Sequence, residues 1–200
     1  TAAPTYVDPG GDSLPSSTDV LKVWIGNTAT HLQFKFELNG SLDRSIWPLF
    51  FVYISYDNVT GSDYGWELPT DALIDFEIGT DGYPYSYFQD YNTTNNLGNI
   101  VQVGMLYYKL SNNNHTLELG YKFKTYYGGC GYLNVSIGQT IYLKLQASQD
   151  SDYIPDSTLV LRYILTEEAG GIPGFGLPFL SFAVLAVITV FLLAKKKATI

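Results

Sequence analysis

Acidic side chains are concentrated in one stretch near the middle of the 200-residue chain. Asp57, Asp63 and Asp71 fall within fifteen residues, together with Asn58 and glycines that permit tight backbone turns. Carboxylate and amide oxygens are the ligands that Ca²⁺ accepts, so one interpretation of this set is a calcium site. The other is that Asp and Asn form turns here, which we favour because the spacing of an EF-hand loop is missing.

Other reactive side chains are scarce. One cysteine, Cys130, and two histidines exclude an internal disulfide and a cysteine-based zinc cluster. Neither a Gly-x-Ser-x-Gly elbow nor a His-Glu-x-x-His motif is present. Asp71 and Asp75 could form a glycosidase pair, because residues four apart share a strand face, but many solvated strands show this spacing. We therefore expect no enzyme activity, and we assign no catalytic or cofactor-binding residue.

Tyrosines offer a more plausible activity. Tyr83, Tyr85 and Tyr87 alternate along one predicted strand, which places them on one face of a sheet. Exposed aromatic rows stack on sugar rings or form protein contacts, so this row predicts a binding face, with core packing as the alternative. The tryptophans are instead expected to fill the core: Trp24, Trp47 and Trp66.

The charge balance excludes one large class of partners. Nineteen acidic residues against eleven basic ones give a net charge of −8, so the field of the protein repels phosphate backbones and nucleic-acid binding is not expected. With 46% hydrophobic and 15% charged residues, the chain is also too apolar to be a disordered tail. It can therefore form a packed core.

The strongest signal is an apolar run near the carboxyl end. Residues 177–194 carry no charge, and a helix of about 20 apolar residues crosses a bilayer. A buried core helix would instead show a polar stripe. Lys195, Lys196 and Lys197 follow, which marks the cytoplasmic side and places the N-terminal part outside the cell in a single-pass topology. The predicted parts are an N-terminal extension (1–19), an extracellular domain (20–166), a Gly/Pro-rich stalk (167–176), a transmembrane helix (177–194) and a basic tail (195–200).

Acceptors for N-linked glycans are frequent in the predicted outer domain. The Asn-x-Ser/Thr pattern occurs more often than the roughly two matches expected by chance, which favours a glycosylated surface protein with covalent N-glycans. The five acceptors are Asn39, Asn58, Asn92, Asn114 and Asn134.

Short alternating runs predict an all-β outer domain. Residues 20–25 and 32–38 alternate apolar and polar side chains and flank a turn predicted at Gly26 and Asn27. About nine strands result, and two antiparallel sheets packed face to face as a β-sandwich, followed by one C-terminal transmembrane α-helix, are the predicted architecture. The other predicted strands are 49–56, 72–78, 83–91, 100–110, 116–124, 140–146 and 158–165.

The stretch 51–78 joins an apolar strand, an Asp/Asn/Gly-rich loop and the strand entry at residues 70–76. With residues 117–119 and the Asp-rich segment 150–165, it resembles carbohydrate-binding family 9-like and DOMON-like β-sandwiches over residues 12–166. The resemblance implies a sandwich, and in some members a haem held by a Met with a His or Lys.

Here the haem ligands would come from Met105, His31 and His115. We expect core packing for the methionine and solvent exposure for both histidines instead, so the electron-carrier reading ranks last.

A second resemblance lies before the apolar run. Pro173, Gly174, Phe175 and Gly176, followed by an apolar span and a basic end, resemble the C-terminal sorting and anchoring signals of archaeal surface proteins. In that family the motif is a recognition site for a membrane transpeptidase, which implies a surface anchor. The alternative is a plain flexible linker.

These observations indicate a membrane-anchored cell-surface glycoprotein that acts as a non-catalytic binding or assembly module. Its expected partners are the lipid bilayer and glycans or proteins of a surface layer. The alternative function is an accessory single-span subunit of a larger membrane complex.

Overall fold

A computed structural model describes residues 3–10, 16–46, 48–59, 68–81, 84–90, 99–101, 106–122, 133–147, 152–155 and 160–167. Within these residues the secondary structure consists of strands and one 3-10 helix, so the prediction of an all-β domain is confirmed. The strands are β1 (Tyr6–Val7), β2 (Val20–Asn27), β3 (His31–Leu38), β4 (Leu49–Ser55), β5 (Ala72–Ile78), β6 (Pro84–Asp90), β7 (Asn99–Val101), β8 (Leu106–Ser111), β9 (Thr116–Lys122), β10 (Thr140–Ala147), β11 (Asp152–Ile154) and β12 (Leu161–Ile164), with the 3-10 helix at Arg44–Ile46.

Two antiparallel sheets make up the fold. The five-stranded sheet has the order β1-β2-β3-β9-β8, and the seven-stranded sheet has the order β11-β10-β4-β5-β6-β7, with β12 also paired to β10. Strand β1 comes from the predicted N-terminal extension. The predicted strand at 100–110 is in fact two strands, because β7 pairs with β6 in one sheet and β8 pairs with β9 in the other. A sequence run cannot show such a change of sheet.

The turn between β2 and β3 differs from the prediction. Gly26 and Asn27 belong to β2, where Asn27 still pairs with Leu32. The turn begins one residue later, where the Thr28 N–H donates to the His31 carbonyl at 2.8 Å. Asn27 is fully buried, and its side chain binds backbone in place of forming the turn: Nδ2 donates to the Thr166 carbonyl at 2.9 Å.

Alternating side chains of both sheets fill one core. In β5, Ile74 and Phe76 point inward and are fully buried, and the Phe36 and Phe50 rings from opposite sheets lie 5.5 Å apart. Burial of each such side chain stabilises the fold by about 1.5–3 kcal/mol. The sheets therefore pack face to face as in a β-sandwich.

The sandwich has two distinct ends. At the first, the Asn27 end, β2 and β12 finish, and Asn27 holds the backbone of Thr166. At the second, the Leu38 end, β3 finishes and β11 begins, and the Val20 N–H donates to the Asp152 carboxylate at 2.6 Å. These inter-sheet hydrogen bonds show that the ends of the two sheets coincide.

Candidate functional site

Side chains that point away from the core of the seven-stranded sheet form the candidate site, which we call the large-sheet face. They are mixed in character, combining carboxyls, an amide, an ammonium group and aromatic rings, and several are buried. Alternation with the core residues of β4, β5 and β10 places them there. The face consists of Phe51, Tyr53, Leu73, Asp75, Glu77, Tyr142, Lys144, Gln146 and Tyr153.

Asp75 is the most perturbed titratable group of this face. Its register partners are Phe51 on β4 and Tyr87 on β6. Burial, and then the like charge of Glu77, raises the pKa of Asp75 to about 7. Its Oδ1 atom is buried and has no hydrogen-bond partner among the described residues. Because this pKa lies near neutrality, the partly exposed carboxyl exists in both the protonated and the ionised form at pH 7.

Three polar side chains form a hydrogen-bonded row across β4, β10 and β11 of the same face. The Tyr53 hydroxyl donates to Gln146 Oε1 at 2.9 Å, and Gln146 Nε2 lies 3.3 Å from the Tyr153 hydroxyl. The Phe51 and Tyr53 rings stack with their centroids 6.3 Å apart. Because each group is fixed by a neighbour, the row presents hydrogen-bonding groups in one geometry.

Part of the large-sheet face is covered by the chain itself. Leu68 is only 1% exposed and packs with Tyr53 and Leu73, and Val160 joins the same apolar cluster. Asp75 lies outside that cluster and keeps partial exposure. The partly exposed members of the face are Phe51, Asp75, Tyr142 and Tyr153.

The predicted tyrosine row meets the carboxyls where β5 pairs with β6. Tyr85 is partly exposed, pairs in register with Glu77, and donates its hydroxyl to Asp81 at 2.7 Å. Tyr87 pairs in register with Asp75, and Tyr83 lies outside the described residues. Strand pairing thus brings the predicted binding strand beside the two carboxyls of β5.

The predicted calcium ligands make turn contacts. Asp57 Oδ1 accepts the Val59 N–H at 2.8 Å, and Asp71 accepts the Tyr56 N–H and lies 3.4 Å from the Ser55 hydroxyl. Asp63 lies outside the described residues. Within the part of the chain that the structure describes, no three His, Cys, Asp or Glu side chains are grouped to hold a metal ion. A calcium site stays a prediction.

Four of the glycan acceptors divide between the ends of the sandwich. Asn39 follows β3, and the Asn114 carbonyl accepts the Leu42 N–H at 3.0 Å, so both lie at the Leu38 end. Asn58 follows β4, and the Asn134 N–H donates to the Tyr56 hydroxyl at 3.2 Å, so both lie at the Asn27 end. Asn92 lies outside the described residues, and glycosylation of all five stays a prediction.

The two histidines lie at opposite ends of β3. His31 Nδ1 lies 2.8 Å from the Thr30 hydroxyl, and burial followed by the charge of Lys122 lowers its pKa. His115 Nδ1 lies 3.4 Å from the Leu38 carbonyl. Both are partly buried, not fully exposed as predicted. Met105, like Cys130, lies outside the described residues, so the haem interpretation is untested.

Trp24 corrects the expectation that the tryptophans fill the core. It is partly exposed on the outer face of the five-stranded sheet, with Lys35 Nζ 4.8 Å from its ring centroid. The reason is strand parity, because Val23 and Ile25 occupy the inward positions of β2. Trp47 and Trp66 lie outside the described residues.

Sequence reasoning missed Tyr53, Gln146 and Tyr153. Alternation in β4 and β10 could have placed the first two outward, but they are 93 residues apart and meet only through strand pairing. The carboxyl that lies near Asp75 also differs from the one considered from the sequence, which was Asp71. Asp71 is held at the entry of β5 by backbone contacts, and Glu77 is the charged group that acts on Asp75.

Comparison of the chain with protein-family models, curated proteins and solved structures finds no match. Among the described residues, no helix has the length and apolar character needed to span a membrane. The predicted stalk motif Pro173–Gly176, the predicted span 177–194 and the lysines Lys195, Lys196 and Lys197 lie outside the described residues.

Proposed function

We propose that this chain is a membrane-anchored cell-surface glycoprotein whose β-sandwich is a non-catalytic binding or assembly module. One observation carries the binding role: the partly exposed side of the large-sheet face brings Tyr85 next to Glu77 and Asp75. Binding requires no reacting atom, only surfaces and hydrogen-bonding groups held in fixed positions.

The chemistry of this face suits a carbohydrate. Aromatic rings present apolar area on which a sugar ring can stack, and polar side chains at their edges bind its hydroxyls. The partly exposed carboxyl of Asp75 offers an acceptor, or a donor when protonated, and a sugar hydroxyl can serve either. We therefore propose a glycan of the cell surface or surface layer as the ligand class.

The anchoring role rests on the sequence. An uncharged run at 177–194, followed by three lysines, has the length and flanking charge of a single transmembrane helix. We expect the full chain to enter the detergent phase on phase separation. Recovery of the intact chain in the aqueous phase as a monomer would overturn this part of the proposal.

A glycan-array measurement on the full chain in mild detergent tests the binding role. We expect Tyr85→Ala to weaken glycan binding at least tenfold, because it removes the partly exposed ring beside Glu77. Trp24→Ala is the matched control, since it removes a partly exposed aromatic ring from the opposite sheet. Equal losses in both variants, or no glycan bound by the unmodified chain, would contradict the proposal.

The same purification separates the two membrane roles. A surface-layer component is expected to copurify with coat or wall material. Stoichiometric integral membrane subunits in mild detergent would instead identify an accessory subunit of a membrane complex.

A further inference from the structure

The last described strand fixes the place where the chain leaves the sandwich. β12 ends at Ile164, and the Leu165 N–H then donates to the Gln139 carbonyl at 2.9 Å. The Asn27 side chain then binds both backbone groups of Thr166. Its Nδ2 donates to the Thr166 carbonyl at 2.9 Å, and its Oδ1 accepts the Thr166 N–H at 3.2 Å. The chain is therefore attached to the Asn27 end as far as Thr166.

The segment between this attachment and the apolar run is short. Residues 167–176 number ten and are rich in glycine. For a glycine-rich sequence of this length, chain statistics give a root-mean-square reach of about 16–19 Å. The eight residues of β3 that separate the two ends of the sandwich span about 25 Å. The average reach of the stalk is thus shorter than the sandwich itself.

From these two lengths we propose that the Asn27 end is the juxtamembrane end and that the sandwich stands upright on the lipid surface, with the Leu38 end outermost. The inference rests on the proposed membrane anchor. An inverted domain would require the stalk to run back along the whole sandwich, which is longer than the average reach of the stalk.

This orientation decides what each surface can meet. Glycans on Asn58 and Asn134 would lie between the domain and the bilayer, whereas glycans on Asn39 and Asn114 would face away from the cell. The large-sheet face would point along the membrane plane. Its ligand would therefore belong to a neighbouring molecule of the same cell surface.

Energy transfer to the bilayer tests the orientation. The full chain, made without glycans in a Cys130→Ser background, is reconstituted into phosphatidylcholine vesicles that contain an acceptor-labelled lipid. A donor dye is attached in separate samples through Ala29→Cys, in the exposed β2–β3 turn, and through Ser45→Cys, in the exposed 3-10 helix near the Leu38 end. We expect the Ala29 dye to lie about 20–25 Å closer to the bilayer.

A second pair of exposed positions, Thr30→Cys and Asp43→Cys, repeats the measurement if either variant fails to fold. Equal distances, or a shorter distance from the Leu38 end, in chains that remain bound to vesicles would overturn the orientation and leave the anchor intact. Chains that do not bind vesicles would overturn both.

Discussion

On the outer face of the five-stranded sheet the Lys22 ammonium lies 2.6 Å from Glu37, whereas on the seven-stranded sheet the charged neighbour that acts on Asp75 is a second carboxyl, Glu77. Both faces arise from the same alternation of side chains. On the first, opposite charges pair across strands. On the second, like charges follow each other along β5. The comparison makes the second face the candidate for a site.

Glu118, on the outer face of the five-stranded sheet, differs from Asp75 in the charges that shift its pKa. Burial raises its pKa, but Lys109, 3.9 Å away, and Lys35 lower it. No cation is among the causes that act on Asp75. A buried carboxyl without a compensating cation is costly to keep in a folded protein, which makes Asp75 a candidate for a functional role.

The largest expected effect is on the pH dependence of stability. Burial and the charge of Glu77 raise the pKa of Asp75 from its ordinary value of 3.8 to about 7, so the folded state binds this proton more tightly than the unfolded chain does. This group's contribution to stability is therefore full below pH 4 and is lost as the pH rises to about 7. At about 1.36 kcal/mol per pKa unit, the loss has an upper bound of about 4 kcal/mol.

Thermal unfolding of the full chain in mild detergent checks this expectation. Asp75→Asn should remove the component of stability that falls between pH 4 and 7. Asp43→Asn is the control, because hydrogen bonds to Ser45 lower the pKa of that exposed carboxyl and its effect has the opposite sign. A constant difference between the unmodified chain and Asp75→Asn from pH 4 to 8 would refute the assignment.

The second effect concerns the hydrogen-bonded row of the large-sheet face. Tyr53→Phe leaves the buried Gln146 Oε1 without its donor and is expected to lower the free energy of unfolding by about 1–3 kcal/mol. Tyr85→Phe removes a hydroxyl that binds Asp81 in an exposed position and should cost less. Urea unfolding measures both, and equal costs would show that the row is not buried.

The third effect is a small coupling on the opposite face. Lys22 and Glu37 are about one-third exposed, so a double-mutant cycle with Lys22→Met and Glu37→Gln should give about 0.2–1 kcal/mol at low salt. The coupling should shrink in 1 M salt because exposed charges are screened. A coupling above this range that persists in high salt would mean that this ion pair is shielded from solvent.

The smallest effect is a pKa change on the five-stranded sheet. Lys35→Gln should raise the pKa of Glu118, because Lys35 is one of the two charges that lower it. Lys22→Gln is the control, since Lys22 is not among the groups acting on Glu118. Carboxyl titration by NMR measures both variants. An unchanged pKa of Glu118 in Lys35→Gln would show that Lys35 does not compensate the charge of this carboxyl.

Much of the fold could be predicted because alternation is a local property. The runs that became β2, β3, β4, β5, β9 and β10 are visible as alternating or apolar segments between turn residues. The short strands β1 and β11 were missed, since two or three residues carry no period. The turn after β2 was predicted at Gly26 and Asn27, but Asn27 is buried and its side chain binds the Thr166 backbone. No local pattern distinguishes an asparagine that forms a turn from one that binds distant backbone.

The candidate site was predicted less completely than the fold. Tyr85 and Asp75 were each recognised as chemistry-bearing residues, but in separate hypotheses. Pairing of β5 with β6 joins them on one face. The partners Tyr53, Gln146 and Tyr153 could not be found, because register decides which outward side chains become neighbours.

By itself the sequence determined the class of secondary structure, the inward or outward parity of most strands, and the net negative charge, because each depends on residue types at short spacing. Tertiary structure alone decided that β6 lies beside β5 so that Tyr85 pairs with Glu77, that Tyr53 meets Gln146, and that the chain leaves at the Asn27 end. These depend on the register and packing of strands distant in sequence, whose energies no local pattern contains.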